Sequence, residues 1–179
     1  MEHEQARLVI RAQAGDREAF NELVRANKDK MFTLIYRMTG DREAAQDLVQ
    51  ETFLTAFKGI GNFRGAASFS GWLYRIASNK TLNYLRRAKL VSFLPLGRLP
   101  SAEPSDHMTD GVHNDQLKMI LSAAQNALPP KQKLVFYLRF YQELSFADIA
   151  DILGRSESTA KTHYHKAVEK LRKRLKEFL

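Results

Sequence analysis

The chain has 179 residues, 44% of them hydrophobic, with a formal net charge of +8 and an isoelectric point of about 9.8. This composition supports a packed core, and the lack of cysteine excludes disulfides and thiolate metal sites. No segment approaches the ~20 consecutive apolar residues of a membrane helix, and the first residues lack the apolar run of a signal peptide, so the cytosol is the expected compartment.

The charge is unevenly distributed along the chain. Residues 1–90 carry a net charge of +5, residues 91–115 carry −3 and residues 116–179 carry +6. Two basic blocks therefore flank an acidic connector. A basic protein whose charge is clustered is typical of nucleic-acid binding, although a basic surface can also serve solubility alone.

Helical periodicity dominates the first basic block. One apolar stripe follows helical spacing from Phe20 to Met38, and a second runs from Ala45 to Phe57. The pentapeptide Gly-Asp-Arg-Glu-Ala occurs at 15–19 and at 40–44, where the glycine is expected to end one helix and the aspartate to cap the next. These patterns predict helices at roughly 3–14, 16–39, 41–58 and 69–90, with a loop over Gly59–Ser68.

The connector changes character. Residues 91–115 hold three of the five prolines and show no helical period, so no helix is expected to run through them. Beyond this connector, helices are predicted at 116–127 and 131–141, followed by two more. The predicted fold class is therefore all-α: two small helical domains, 1–90 and 116–179, joined by a flexible acidic linker over 91–115.

The strongest local pattern lies in the second block. Ser145 with Asp148 is typical of a capping box, Gly154 suits the left-handed backbone of a turn, and Ser156 or Ser158 can cap the next helix. This pattern predicts a helix-turn-helix, whose second helix enters the major groove of duplex DNA.

That second helix continues as a basic rod. Residues 161–179 carry seven Lys or Arg against two Glu, a pattern that a solvated charged helix would also give. Because the run directly follows a helix-turn-helix, DNA contact is the favoured interpretation. No zinc site is expected, since two histidines two residues apart do not share a helix face. The side chains expected to face the groove are Lys161, Thr162, His163, His165 and Lys166.

Several longer motifs carry a resemblance to a known family. Residues 47–54, 63–69 and 72–79 resemble region 2 of the extracytoplasmic-function (ECF) sigma factors, and residues 128–136 with 144–154 resemble region 4. The resemblance implies a non-enzymatic subunit of bacterial RNA polymerase that recognises promoters and begins strand melting. Region 2 is then residues 1–90 and region 4 is residues 116–179.

The resemblance also implies roles for individual residues. A face that falls off the apolar stripe of helix 41–58 would bind the clamp helices of the polymerase's largest subunit, through Asp47, Gln50, Glu51 and Leu54. Region 4 would read the −35 element, with Ser158 and Thr159 added to the five groove-facing side chains. The melted −10 element would be read by Phe63, Arg64, Ser68, Phe69, Trp72, Arg75, Asn79, Lys80 and Asn83.

Physical reasoning agrees with part of this assignment and leaves part open. Aromatic and amide groups in a basic setting suit the capture of an unstacked base, although Trp72 is equally suited to core packing. Arg86 and Arg87 continue the helical spacing of Arg75 and could track the backbone.

The resemblance further implies partners. These are core RNA polymerase through its clamp and flap, promoter DNA and an anti-sigma factor, with the acidic linker threading the polymerase cleft. No cofactor and no metal is expected. Ala160, His163 and His165 depart from the family's usual residues in the recognition helix, which leaves the promoter sequence open.

Two other classes of protein share part of this pattern. A free-standing helix-turn-helix regulator would bind duplex DNA tightly without polymerase. A nucleic-acid enzyme is disfavoured, because phosphate-binding loops and metal clusters are missing and the Asp47–Glu51 carboxylate pair lacks a third ligand nearby in sequence.

Overall fold

The computed structural model describes residues 2–65, 68–92 and 115–176, and within these ranges the chain is all-α, as predicted. Most of the predicted linker, residues 93–114, and two residues of the predicted loop, Ala66 and Ala67, lie outside the described residues. A 3₁₀ turn at Ile60–Asn62 lies inside the predicted loop and was not expected. The helices are α1 Glu2–Gln13, α2 Arg17–Thr39, α3 Arg42–Gly59, α4 Phe69–Ser92, α5 Asp115–Asn126, α6 Pro130–Phe140, α7 Phe146–Leu153 and α8 Glu157–Lys176.

The repeated pentapeptide marks two helix boundaries, as predicted. The Asp16 carboxylate accepts hydrogen bonds from the backbone N–H groups of Glu18 and Ala19 at the start of α2. Asp41 accepts from the N–H of Ala44 at the start of α3 in the same way. The preceding Gly40 has φ of 71°, a left-handed conformation that lets α2 end and α3 turn away.

Helices α1 to α4 form the first domain around an apolar centre. Leu23, Leu34 and Leu73 are fully buried there. Buried Asn27 donates to the Leu23 carbonyl and accepts a hydrogen bond from Ser70, which ties the start of α4 to the middle of α2. This tie fixes where the loop that precedes α4 must return to the domain.

One expectation about this core is wrong. Phe57 was predicted to lie on the apolar stripe of α3, yet its side chain is 47% exposed. It packs edge to face on Phe20, with ring centroids 5.0 Å apart. Phe57 lies at the edge of the core, where α2 covers only part of its side chain.

Helices α5 to α8 form the second domain. Leu134, Leu138 and Ile149 are buried between α6, α7 and α8, and a satellite cluster holds Phe136 against Leu171. The predicted capping box is present: the Ser145 hydroxyl accepts from the N–H of Asp148. A capped short helix followed by a left-handed glycine is the connection that a helix-turn-helix requires.

The two domains pack against each other, which the sequence did not predict. Helix α7 contacts α4, helix α6 contacts α2 and α4, and buried residues of both domains join in one apolar cluster. The Tyr74 hydroxyl donates to the Gln142 side-chain oxygen. The Arg37 guanidinium lies over the Tyr141 ring, 4.1 Å from its centroid. Tyrosine, arginine and glutamine are ordinary surface residues, so no apolar pattern in the sequence indicates this contact.

A lysine is enclosed at the same contact. The Lys133 ammonium donates to the Met38 carbonyl at 3.4 Å and to the Asn126 side chain at 2.7 Å. Burial, with a smaller contribution from the Arg37 charge, lowers the pKa of Lys133 to about 8. Burial also raises the pKa of the neighbouring Tyr137 to about 12. The charge of Lys133 therefore opposes the docking of the two domains.

Candidate nucleic-acid interface

The loop between α3 and α4 is built on three packed aromatic rings. Phe63 lies 5.0 Å from Trp72 and 6.0 Å from Phe69, measured between ring centroids. Phe69 is 4% exposed, so it supports the loop from below. Phe63 and Trp72 are half-buried, and a Cβ added to Gly59 would meet the Trp72 ring at 3.3 Å. Trp72 thus packs in the domain and also keeps part of its ring at the surface.

Polar groups surround this cluster. Arg64 and Ser68 are exposed on the loop. The Ser68 hydroxyl accepts a hydrogen bond from the N–H of Gly71 at 3.0 Å, so Ser68 also caps the start of α4. The loop therefore offers a cation and a hydroxyl beside a partly exposed indole.

Helix α4 continues the same surface. Arg75, Asn79 and Asn83 are exposed at a spacing of four residues, followed by exposed Arg86 and Arg87 on the same side. Cations and amides in a line along one helix suit a nucleic-acid backbone and its base edges.

One predicted member of this set faces elsewhere. The Lys80 ammonium pairs with the Glu51 carboxylate of α3 at 3.0 Å. Lys80 was predicted to contact DNA and Glu51 to contact polymerase, so the structure joins two residues from different predicted surfaces. The lysine lies at the border between them.

The second domain reaches the loop. A groove of about 520 Å³ is lined by Trp72, Arg75 and Ser68 from the first domain and by Asp148 and Asp151 of α7. Carboxylates beside exposed cations occupy the kind of place that phosphates would take. In this arrangement α7 partly covers the surface that the sequence assigns to the melted strand.

The predicted polymerase-binding face lies on α3. Asp47, Gln50, Glu51 and Leu54 are all exposed, and Leu54 is 59% exposed. A surface groove of about 650 Å³ continues from Gln50 and Leu54 to Phe57. The sequence analysis placed Phe57 on the apolar stripe and not on this face, although its spacing of three residues from Leu54 on a helix indicates that the two are neighbours.

The helix-turn-helix separates its predicted DNA contacts into two groups. Ser158, Lys161, Thr162, His165 and Lys166 are exposed along one face of α8. The Lys161 ammonium pairs with Glu157 at 2.7 Å, an exposed interaction that a phosphate can replace.

The other two predicted contacts turn toward the domain. Thr159 is half-buried, with its hydroxyl 2.8 Å from that of Ser156. The Nδ1 atom of half-buried His163 has no hydrogen-bond partner among the described residues. Burial lowers the pKa of His163, and the charges of Lys131 and Lys166 lower it further.

Two further features can be stated for the described residues. Within them, no helix is both long enough and apolar enough to cross a membrane. No group of three or more histidine, cysteine or acidic side chains in that part of the chain is placed to hold a metal ion.

These features define a class. Two small helical domains, one with an aromatic loop beside a polar helix face and one with a helix-turn-helix, are typical of a DNA-binding protein. The sigma-70 region 2 family matches residues 23–91, and the sigma-70 region 4 family matches residues 118–171.

Individual proteins agree with the family matches. The chain is 35% identical to the ECF RNA polymerase sigma factor SigW of Bacillus subtilis, over 91% of this chain and 92% of SigW. It is 32% identical to the RNA polymerase sigma-H factor of Pseudomonas aeruginosa, over 96% of this chain and 94% of that factor. Its fold is similar to that of the sigma factor RpoE from Bartonella quintana, solved with the anti-sigma factor NepR, with a TM-score of 0.73, 22% identity and coverage of 88% of this chain and 96% of RpoE.

The chain belongs to the family of ECF RNA polymerase sigma factors. Sigma factors bind core RNA polymerase and direct it to promoters, and they perform no enzymatic reaction themselves. This membership removes the free-standing regulator and the nucleic-acid enzyme from the alternatives.

Proposed function

We propose that the chain reads a promoter with two separate surfaces. The exposed face of α8 reads the −35 element as duplex DNA, and the Phe63–Ser68 loop with the adjoining face of α4 captures the melted −10 strand. The observation that carries this proposal is that each surface has the chemistry of its task. Donors on one side of a helix suit the major groove, and a part-exposed indole beside amides suits an unstacked base.

The duplex-reading surface rests on five exposed side chains, which are Ser158, Lys161, Thr162, His165 and Lys166. Lys161 and Lys166 supply charge for phosphates, and His165 and Thr162 supply hydrogen-bonding groups for base edges. Thr159 and His163 take a supporting role in this proposal, because both side chains are partly buried in the domain.

The strand-capturing surface rests on Trp72, Arg64, Ser68, Arg75 and Asn79. The first offers a stacking face, and the others offer donors around it. Phe63 and Phe69 pack against the indole and hold it in place. Asn83 extends the surface along α4, and Lys80 lies at its border.

Polymerase binding is proposed at two places. The exposed face of α3 around Glu51 and Leu54 docks on the clamp of the largest subunit, since an exposed leucine among acidic and amide side chains suits a protein interface more than it suits water. Region 4 docks on the flap. Phe140, 58% exposed and stacked on Phe136 at 5.2 Å, supplies an apolar anchor for that contact.

An anti-sigma factor is proposed as a further partner, with the work of the complex taking place in the cytoplasm. Two domains on an acidic, proline-containing connector can enclose a partner and hide both reading surfaces. Purification of the tagged chain from its native host should yield a protein that blocks assembly with core polymerase in a reconstituted reaction.

The experiment for promoter reading compares two sets of variants on two templates. Lys161→Ala with His165→Ala should weaken closed-complex formation on duplex promoters and matter less on a pre-melted fragment. Trp72→Ala with Asn79→Ala should leave closed-complex formation unchanged and impair strand melting, which is measured by the permanganate reactivity of unpaired thymines. A stacking aromatic contributes about 1–3 kcal/mol per base, so the loss of melting should be at least several-fold.

Two controls keep the result interpretable. Each variant holoenzyme is first checked for assembly with core polymerase and for thermal unfolding. Glu4 is exposed near the start of α1, so Glu4→Ala should leave both closed-complex formation and melting unchanged. If the loop variants melt promoters normally while the helix variants fail on every template, the proposed division of tasks is wrong.

A further inference from the structure

A glutamine outside the matched region 2 holds the loop that captures the melted strand. Gln13 is the last residue of α1, ten residues before the region 2 match begins at 23. Its side-chain Nε2 donates to the Ile60 carbonyl at 3.0 Å and to the Phe63 carbonyl at 2.7 Å. These partners lie 47 and 50 residues further along the chain. The two bonds use both N–H groups of one amide.

Both acceptors belong to the turn that begins the loop. The N–H of Phe63 donates to the Ile60 carbonyl at 3.0 Å, which closes the 3₁₀ turn. Gln13 binds the same Ile60 oxygen and also the Phe63 carbonyl, so its amide bridges the two ends of the turn. Only the N–H side of the glutamine amide fits between two carbonyl oxygens, and this fixes the orientation of the side chain.

The end of α1 is itself held in place, so the bridge has a fixed base. The Arg11 side chain pairs with Asp16 at 2.7 Å across the α1–α2 turn. Val9 and Ala12 are buried against the first domain at 6% and 8% exposure. A donor carried by an anchored helix end limits where Phe63 can lie.

The position of Phe63 sets the position of the indole. The Phe63 ring lies 5.0 Å from Trp72 and 6.0 Å from Phe69. The groove beside Trp72 and a second groove of about 660 Å³ beside α1 are both lined by Phe63, Arg64 and Ser68. A shift of the turn would therefore change the shape of the surface that a flipped base must fit.

We infer that Gln13 is a positioning residue for the loop, and that its two hydrogen bonds sharpen the discrimination between bases at the −10 position that the loop captures. This inference rests on the proposed function of the loop. Gln13 acts through Phe63 and Trp72 and need not touch DNA. Its loss should therefore flatten base preference more than it lowers overall promoter binding.

The test uses holoenzyme reconstituted from core polymerase and the full chain. The DNA is a pool of promoter fragments with the −10 positions randomised, and fragments held in open complexes are sequenced. Gln13→Glu keeps the shape of the side chain but places a carboxylate against two carbonyls, and Gln13→Ala removes the side chain. Both should reduce the ratio between the preferred and the least preferred base by about fivefold at one position, the effect of losing a hydrogen bond.

A matched control and a direct structural readout accompany the pool. Gln46→Glu and Gln46→Ala make the same changes on the exposed side of α3 and should leave the preference profile unchanged. Amide hydrogen exchange of the full chain should be about fivefold faster at Phe63 in Gln13→Ala, with the protected amides in the middle of α3 unaffected. This measurement reports on the turn even if Gln13→Glu folds poorly.

The outcomes separate this inference from the proposed function. If Trp72→Ala flattens the profile while both Gln13 variants match the wild type, the role of Gln13 is refuted and the proposed function stands. If the Trp72→Ala profile also matches the wild type, the proposed function of the loop is refuted, whatever the Gln13 variants show. Unchanged exchange at Phe63 in Gln13→Ala would refute the positioning role independently of DNA.

Discussion

Ser68 has two tasks at the scale of a single residue. Its hydroxyl accepts from the N–H of Gly71 and so caps α4, and the same exposed hydroxyl stands beside Trp72 in the proposed strand-capturing surface. A substitution that removes the oxygen therefore changes folding and DNA contact together. The two effects can be separated by choosing residues that keep only one of them.

Ser68→Ala and Ser68→Asp should behave differently. Alanine removes the cap and should lower the free energy of unfolding by about 1 kcal/mol, whereas aspartate is as good a helix cap as serine. Aspartate nevertheless brings a negative charge to the strand-capturing surface, so Ser68→Asp should melt promoters poorly while folding normally. Urea unfolding and permanganate reactivity measure the two effects. Normal melting by Ser68→Asp would show that no phosphate comes near this position.

The pair between Glu51 and Lys80 lies at the border of two proposed surfaces. Glu51→Arg should weaken assembly with core polymerase, because it reverses the charge of the docking face. The cost to folding should stay below about 1 kcal/mol, since an exposed ion pair is worth little. Competition with wild-type chain for core enzyme measures the affinity. Lys80→Met breaks the same pair without changing the docking face and serves as the control, and assembly by Glu51→Arg at wild-type affinity would contradict the assignment.

At the scale of one element, α8 places its charge on the side away from the domain. Lys161, Lys166 and His165 are exposed, while Ala160 and Ala167 face the core. This separation of exposed and buried residues follows from the helical period. Because Ala160 and Ala167 are small, α6 can approach α8 closely on the side that they occupy. Binding by such a face depends on phosphates and hence on salt.

The difference in salt dependence between wild-type holoenzyme and α8 variants should report how many phosphates α8 neutralises. The logarithm of the affinity of holoenzyme for duplex promoter should fall linearly with the logarithm of the salt concentration, by ~0.9 per phosphate. Lys166→Ala should reduce that slope by about 1 and weaken binding to all sequences equally. His165→Ala should change the preference among −35 sequences with little effect on the slope. Equal slopes for wild type and Lys166→Ala would remove phosphate contact from this lysine.

The elements also show what a sequence determines by itself. Aspartate caps, left-handed glycines and apolar periods are local, so they placed the helices close to their observed bounds. The inward turn of Thr159 and His163 could not be predicted, because the phase of α8 is set by its packing on α6 and α7. The Gln13 bridge was missed for a similar reason: two hydrogen bonds across about fifty residues leave no periodic signal. Family resemblance named the reading surfaces but not the residues that support them.

At the scale of the whole molecule, the two domains are docked through a mixed contact. An apolar cluster joins them, Tyr74 donates to Gln142, and Arg37 covers Tyr141. The enclosed Lys133 works against this contact. Burial in the docked arrangement, with a smaller contribution from the Arg37 charge, lowers its pKa to about 8, below the ordinary value of 10.5 for a lysine in water.

Docking should therefore strengthen as the pH rises above about 8. Between this value and 10.5 the docked lysine is neutral while the lysine of the open form still holds its proton, so raising the pH favours the form with fewer protons. Energy transfer between dyes on Thr33→Cys and Ala127→Cys, in a chain without other cysteines, should increase from pH 7 to pH 9.5. Lys133→Met should give high transfer with no pH dependence over this range. A wild-type signal that falls with rising pH would mean that another group controls docking.

The carboxylates of Asp148 and Asp151 on α7 line the proposed −10 groove together with Trp72 and Arg75. If this groove captures the −10 strand as proposed, DNA and α7 cannot both occupy it, and promoter affinity is then scaled by the fraction of molecules in which α7 has left. Every 1.4 kcal/mol of docking free energy lowers that fraction, and with it the apparent affinity, about tenfold. If α3 binds the clamp and region 4 binds the flap as proposed, polymerase would separate the two domains and open the groove before DNA binds. Under the proposed function, the contacts of α4 with α6 and α7 would therefore determine how readily the free chain binds a promoter.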